Sequence, residues 1–172
     1  MQRFVLFLGF PTYSLSVVLF SQLTFTGLGA FLAPKLGLTR RTLTVSLGAT
    51  VAMLAAAALG LQPLLAALIE QPFLLRLVLS VLLIAPIGFV LGFAMPIGLH
   101  RFEALFPAAV PYAWAVNGLA SVVSSVLGVA IALFMGFRTA TLVAAGCYAA
   151  AYLHARVGRW GAQSDEPARS AV

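Results

Sequence analysis

The chain has 172 residues, of which 62% are hydrophobic and only 8% are charged. A soluble domain carries about a quarter charged residues, so this composition excludes an ordinary soluble globular protein. The net charge of +6 comes from basic residues spread along the chain, and no basic cluster with interleaved aromatic residues predicts nucleic-acid binding. Cys147 is alone, which excludes an intrachain disulfide and a cysteine-based metal site; we expect it to be a small apolar packing residue.

The first charge-free stretch, residues 4–34, is too long for one simple span and contains Pro11. Proline is tolerated in the first turn of a helix, so we expect the first span to cover about 11–33. Residues 1–10 then form a partial N-terminal helix. They are either a short interfacial piece or the tail of a helix whose beginning is missing.

The next spans are separated by charges. Between Arg41 and His154 the charged residues are Glu70, Arg76, Arg101, Glu103 and Arg138. Apolar stretches of about eighteen or more residues predict transmembrane helices, and charges mark where the chain leaves the bilayer. We therefore expect spans at about 42–69, 73–99, 111–136 and 139–155. The predicted fold is an all-α, polytopic transmembrane bundle over residues 1–155, with a polar, disordered tail at 156–172.

The orientation of the bundle follows from its lysines and arginines, which are enriched in cytoplasmic loops. Seven of these basic residues lie in the loop after the first span, the loop after the third span and the C-terminal segment. The other three lie at the span ends on the opposite side of the membrane. The first set is Lys35, Arg40, Arg41, Arg101, Arg156, Arg159 and Arg169, and the second is Arg3, Arg76 and Arg138. We therefore expect the C-terminus to lie in the cytoplasm and the N-terminus to lie on the outer side of the membrane.

The span interiors contain no Asp, Glu, Lys, Arg or His, which argues against an ion-coupled transporter formed by this chain alone. The fourth span has small and polar residues at helical spacing, typical of close helix packing. They are Asn117, Gly118, Ser121, Ser124, Ser125 and Gly128. Two interpretations stay open: a helix-packing seam with interhelical hydrogen bonds, or a stripe that faces a pore or ligand.

Gln22 lies near the middle of the first span. An unsatisfied polar group there costs several kcal/mol, so we expect it to need a hydrogen-bond partner. Ser124 or Ser125 would lie at a similar depth. We interpret Gln22 as a structural hydrogen-bonding residue of the same polar seam, with a substrate ligand as the alternative.

The third span carries Pro86, Gly88, Gly92 and Pro96. Prolines remove backbone donors and bend helices, and glycines four residues apart allow close helix contact. This pattern favours a bent packing helix, with a hinge as the alternative. The loop that follows brings His100, Arg101 and Glu103 together, and we expect a solvated interfacial face there rather than a catalytic trio.

Three segments, in order, resemble membrane segments of bacterial spermidine-synthase-like multi-pass proteins: GFPTYSLSVVLFS at residues 9–21, FAMPIGL at 93–99 and YAWAVNG at 112–118. Members of that family join major-facilitator-like helices to a soluble domain resembling polyamine aminopropyltransferases. The helices here resemble one half of a major-facilitator bundle that lacks most of its first helix. The loop at 29–41 resembles the signature of that superfamily, with Pro34 in place of the expected acid.

The resemblance implies a multi-pass protein of the bacterial inner membrane. The chain has no Gly-rich nucleoside-binding turn outside the membrane and four acidic residues in total, so the active site of that family cannot form here. We expect no catalytic, cofactor or metal residues in this chain. Its expected partners are the lipid bilayer and another protein chain.

Three functions stay open. The first is a membrane module that anchors or serves a separate aminopropyltransferase-like domain. The second is an accessory structural subunit of a larger membrane complex. The third is a major-facilitator-like half-transporter that dimerises.

Overall fold

The computed structural model describes the backbone of residues 2–157 and the side chains of residues 4–157. This part of the chain is all-helical. In chain order it contains α1 (Gln2–Leu8), α2 (Pro11–Leu36), α3 (Arg40–Ala67), α4 (Phe73–Leu91), α5 (Ala94–Leu105), a 3₁₀ turn (Pro107–Ala109), α6 (Val110–Met135) and α7 (Phe137–Val157). The expected all-helical class is confirmed, whereas the tail predicted at 156–172 lies outside the described residues from residue 158 onward.

Four stretches of the described chain are long and apolar enough to cross a membrane. They are Pro11–Leu36, Arg40–Ala67, Phe73–Leu105 and Pro107–Met135. The first, second and fourth agree closely with the predicted spans, and the third continues as a helix beyond the predicted end at residue 99. The segment predicted as the fifth span forms the 21-residue helix α7, which is not among the four apolar stretches, so a fifth span remains a prediction.

Local sequence explains where the long helices begin and end. Pro11 is the first residue of α2, where its missing N–H removes no helical hydrogen bond. Thr39 caps α3, because its hydroxyl oxygen accepts a hydrogen bond of 3.1 Å from the Thr42 backbone N–H. Gly37 and Gly136 follow α2 and α6 with φ angles of 89° and 87°, a left-handed conformation that terminates each helix.

One end of the bundle, hereafter the Arg40 end, joins the start of α3 to the end of α7. The Arg40 side chain donates a hydrogen bond of 2.9 Å from Nε to the Ala155 carbonyl oxygen and another from Nη2 to the Arg156 carbonyl oxygen. Its cation therefore binds carbonyl oxygens in the last described turn of α7, where the negative end of the helix dipole favours a positive charge. An apolar cluster fills this end: Ala33, Leu43, Leu47, Phe93, Ile97 and Ala155.

The opposite end, hereafter the Arg76 end, is built around α1. Arg76 Nη1 donates a hydrogen bond of 2.6 Å to the Phe7 carbonyl oxygen at the C-terminus of α1, and Ser14 Oγ donates one of 2.8 Å to the Phe4 carbonyl oxygen. The buried apolar cluster here contains Phe4, Phe7, Leu8, Leu65 and Ile84. The N-terminal piece is therefore packed into the bundle core rather than lying on its surface.

Two helix pairs carry most of the packing: α2 with α4, and α3 with α7. Helices α2 and α4–α5 run from the Arg76 end to the Arg40 end, and α3 runs in the opposite direction, packed mainly against α7. Helix α6 contacts α7 and, to a smaller extent, α5 and the 3₁₀ turn, and no residue of α6 is buried. It is the most peripheral long helix of the described chain.

Candidate helix-docking surface on α6

The α6 seam, defined as Asn117, Gly118, Ser121, Ser124, Ser125 and Gly128, lies on one face of α6 and remains open in the structure. All six residues are exposed except Gly128, which is half-buried. Added Cβ atoms on Gly118 and Gly128 would meet no other atom within 4 Å. The predicted packing seam therefore has no helix against it within residues 2–157.

The serines of the seam satisfy their hydroxyl groups within α6 itself. The Ser121 hydroxyl donates to the Asn117 carbonyl oxygen at 2.7 Å, the Ser124 hydroxyl to the Ser121 carbonyl oxygen at 3.1 Å, and the Ser125 hydroxyl to the Val122 carbonyl oxygen at 2.8 Å. Such back-bonding leaves the side chains compact and the hydroxyl oxygens able to accept further bonds. The three serines therefore add small side chains to the seam without adding unsatisfied hydroxyl groups.

Two apolar grooves flank the seam. Ser124, Ser125 and Gly128 line a groove of about 550 Å³ that α6 shares with α7 and with Leu54 of α3. Asn117 lines a second groove, of about 510 Å³, between α6 and α5. The seam therefore borders the gaps that separate α6 from α7, α3 and α5.

Gln22 is half-buried on α2 and lies in a different interface from the α6 seam. Helix α2 packs against α4, and the Gln22 carbonyl oxygen lies 3.3 Å from the position of a Cβ added to Gly88. The Ser124 and Ser125 hydroxyls donate to carbonyls of their own helix rather than to Gln22. The structure therefore does not bring Gln22 together with the serines that we expected at its depth, because α2 is closest to α4.

Glycines allow the backbones of α2 and α4 to touch. A Cβ added to Gly29 would lie 2.1 Å from the Phe89 carbonyl oxygen, and one added to Gly92 would lie 2.2 Å from the Thr26 carbonyl oxygen. Neither position accommodates a side chain without moving a helix. Gly88 is also tight, with Phe25 Cβ at 3.3 Å from its added Cβ. Gly88 and Gly92, predicted as a small-residue pair, form the centre of this interface.

The candidate hinge residues lie on both sides of a break in the helix of the third span. Helix α4 ends at Leu91 and α5 begins at Ala94. Pro96, in the first turn of α5, has no N–H to bond the Gly92 carbonyl, and the Phe93 N–H bonds the Val90 carbonyl oxygen at 3.3 Å in a tighter turn. Pro86 lies inside α4. The helical hydrogen bonding is thus interrupted between Leu91 and Ala94, and the bend and the hinge both remain predictions.

The cluster of His100, Arg101 and Glu103 lies on α5, on a helix that continues to Leu105. His100 and Glu103 are exposed and Arg101 is half-buried. The neighbouring rings of Phe102 and Phe106 are 5.7 Å apart. This placement is compatible with the expected interfacial face, in which aromatic residues lie beside solvated charges.

The sequences and helix lengths of α2–α3 and α6–α7 indicate an internal repeat, which our sequence interpretation missed. Helices α2 and α6 both have 26 residues and are each followed by a glycine with positive φ. Tyr13, Gly29, Gly37, Thr42 and Leu43 recur as Tyr112, Gly128, Gly136, Thr141 and Leu142, each the same number of positions further along the chain. Comparing the sequence with itself at constant spacing would have found this signal.

The repeat assigns a counterpart to the α6 seam. The atoms of Gln22, Thr26 and Gly29 approach Gly88 of α4 and Gly92 at its end. By the repeat, these three residues correspond to Ser121, Ser125 and Gly128. The first set is in contact with a parallel helix, α4. The second set has no such helix in the described chain. The α6 seam is thus the equivalent, in the second repeat, of a surface that binds a helix in the first.

No family model matches the chain, and neither a curated protein nor a solved structure matches it. The resemblance to spermidine-synthase-like membrane segments therefore stays a prediction from the sequence.

Proposed function

We propose that this chain is an integral membrane module of five crossings that serves a protein partner, and that the partner contributes a transmembrane helix to the α6 seam. The observation that carries the proposal is the contrast between the two repeats. Gly29 contacts α4 closely, whereas its counterpart Gly128 has open space around it. In lipid, small residues on one helix face drive association because they let two backbones approach.

The fifth crossing is supported by the position of α7 between the two ends of the bundle. Phe137, its first residue, lines a cavity with Phe7 and Leu65 at the Arg76 end, and the Ala155 carbonyl near its last turn accepts a hydrogen bond from Arg40. Its 21 residues extend about 31 Å, enough for a hydrocarbon core of about 30 Å. Helix α7 also packs along α3, which is long and apolar enough to cross. If α3 crosses the bilayer, α7 crosses beside it.

Single-cysteine labelling tests this topology. In a Cys147→Ala background, Lys35→Cys and Val157→Cys should react with a membrane-impermeant thiol reagent from one side, and Gln71→Cys from the other. Reaction of Val157→Cys from the Gln71 side would contradict a fifth crossing. From the excess of basic residues at the Arg40 end, we further propose that this end faces the cytoplasm of a bacterial inner membrane, so intact cells should label Gln71→Cys alone.

The partner helix should resemble α4 in its contact face. Helix α4, which runs parallel to α2, presents Gly88 and the adjoining Gly92, four residues apart, to that helix. By the repeat, we expect a helix parallel to α6 with small residues at the same spacing. From the sequence resemblance we propose that this helix belongs to a protein with an aminopropyltransferase-like domain, which the present chain anchors.

The docking test compares two substitutions on opposite faces of α6. Gly128→Leu places a bulky side chain on the seam, whereas Ala130→Leu places the same side chain on the far face, and both residues are half-buried. Affinity purification from native membranes in mild detergent should lose the partner by about tenfold or more with Gly128→Leu and retain it with Ala130→Leu.

Cross-linking gives the second measurement. In the same Cys147→Ala background, Ser125→Cys should cross-link to the co-purified chain, whereas Val123→Cys should not. If Gly128→Leu and Ala130→Leu lost the co-purified partner to the same extent, docking on the seam would be refuted. Recovery of only the chain itself, cross-linked through Ser125→Cys, would favour the half-transporter, in which two copies bring their seams together. Recovery of the subunits of a large complex would favour the accessory role.

A further inference from the structure

A groove of about 440 Å³ opens at the Arg40 end between α2, α3 and α4. Its walls are mainly apolar and include Val45 and Ala49 of α3 and Val90 of α4, and Arg41 lies among its lining residues. The groove thus combines an apolar trough with a guanidinium group at the end of the bundle.

The other polar side chains of the groove already have partners. The Ser46 hydroxyl donates to the Leu43 carbonyl oxygen at 3.0 Å, and the Thr42 and Thr39 hydroxyl oxygens are 2.9 Å apart. Within residues 2–157, the structure shows no hydrogen bond or ion pair for the exposed guanidinium of Arg41. Arg41 is therefore the polar group of this groove that is available to a ligand.

The position of Arg41 in α3 is electrostatically unfavourable without an anion. It is the second residue of that helix, where the positive end of the helix dipole disfavours cations, and the first turn contains no acidic residue. Arg40, beside it, turns to the carbonyls of α7. No Asp or Glu occurs in residues 1–69 or in α4, so the helices around the groove offer Arg41 no carboxylate.

We propose that this groove binds a phospholipid with an anionic headgroup, a conclusion that rests on the proposed membrane placement. One acyl chain lies against Val45, Ala49 and Val90, and the phosphate lies on the Arg41 guanidinium. Arginine binds phosphate through two parallel hydrogen bonds, and basic pockets between transmembrane helices select anionic headgroups. In an anionic headgroup no cation offsets the phosphate charge, so the basic residues at this end, Arg41, Arg40 and Lys35, favour it over a zwitterionic headgroup.

The test measures the thermal unfolding midpoint of the purified full chain in mild detergent. Phosphatidylglycerol and phosphatidylcholine with identical acyl chains are added separately, because a ligand that binds the folded state raises the midpoint. Phosphatidylglycerol should raise it more. Native mass spectrometry then gives the affinity, and Arg41→Ala should weaken phosphatidylglycerol binding by about tenfold or more.

Three variants separate the lipid site from general surface charge. Arg41→Ala should remove the preference for phosphatidylglycerol without lowering the lipid-free midpoint. Ala49→Phe should fill the groove and weaken both lipids. Arg138→Ala, an exposed arginine at the Arg76 end, should behave as the unaltered chain.

Equal responses to the two lipids in the unaltered chain would overturn the proposal. Equal losses of phosphatidylglycerol affinity in Arg41→Ala and Arg138→Ala would also overturn it. An unchanged rise of the unfolding midpoint with lipid in Ala49→Phe would do the same. Thiol labelling and partner recovery do not depend on this groove, so failure of the lipid site leaves the proposed membrane module standing. If labelling showed that the chain does not cross the bilayer, both proposals would fail.

Discussion

Gly29→Ala is the most direct test of the α2–α4 interface. The new Cβ would lie 2.1 Å from the Phe89 carbonyl oxygen, 3.0 Å from the Phe89 carbonyl carbon and 3.2 Å from Gly92 Cα. An ordinary carbon–oxygen contact is about 3.3 Å, so the two helices must move apart by about 1 Å. All three obstructing atoms belong to the backbone, so no side-chain rotation can relieve the overlap.

The expected loss of stability combines two opposing effects. Overpacking costs about 1–3 kcal/mol, and a backbone obstruction places this case near the upper value. Alanine is favoured over glycine in a helix by about 1 kcal/mol. The net decrease in the free energy of unfolding is therefore about 2 kcal/mol, which corresponds to a fall of roughly 4–8 °C in the unfolding midpoint for a chain of this size.

Gly27→Ala supplies the matched control. Gly27 is on the same helix, is exposed and has no atom within 4 Å of an added Cβ. The Gly27→Ala variant gains the higher helix propensity of alanine without a steric overlap with α4, so its unfolding midpoint should stay the same or rise. Both variants are measured by thermal unfolding in detergent. An unchanged midpoint in Gly29→Ala, or an equal fall in Gly27→Ala, would show that the two backbones are not in close contact.

Two further predictions concern hydrogen bonds that join helices. Arg40→Ala should lower the unfolding midpoint because the last described turn of α7 loses the hydrogen bonds from the Arg40 guanidinium. Arg41→Ala should leave the midpoint unchanged in lipid-free detergent. Equal changes of the midpoint in the two variants would show that the contact with α7 contributes nothing to stability. Ser14→Ala removes the 2.8 Å bond to the Phe4 carbonyl oxygen and should cost about 1 kcal/mol, whereas exposed Ser16→Ala should be nearly neutral. Proteolysis near α1 should increase in Ser14→Ala alone, and its absence would mean that α1 stays docked without this bond.

Much of the fold is predictable because the bilayer restricts what an apolar chain can do. Backbone groups in lipid must be satisfied internally, so long apolar segments become helices, and sparse charges separate them. The boundaries near Pro11, Thr39 and Gly136 follow from local backbone preferences at proline, capping threonine and glycine. The break after Leu91 was less predictable, since glycines and prolines indicate a bend but do not say which carbonyl is left without a donor.

The α6 seam shows the limit of the same reasoning. Spacing alone identified a face of small residues on α6, and it was correct that such a face exists. It could not say whether the face is filled, because glycine and serine are typical both of a packed interface and of a surface awaiting a partner. The pairing of Gln22 with the α6 serines failed for the same reason: similar depth in a bilayer does not determine which helices are neighbours.

The sequence by itself determined that this chain is helical, strongly apolar and asymmetric in its basic residues, because these properties depend on composition and on short-range spacing. The tertiary structure alone decided which helices pair. It placed Gly29 against Phe89, Arg40 against the end of α7, and α1 inside the core. It also left the seam around Gly128 open while the equivalent surface on α2 is closed. These outcomes depend on contacts between residues far apart in the chain, and steric fit between whole helices decides such contacts.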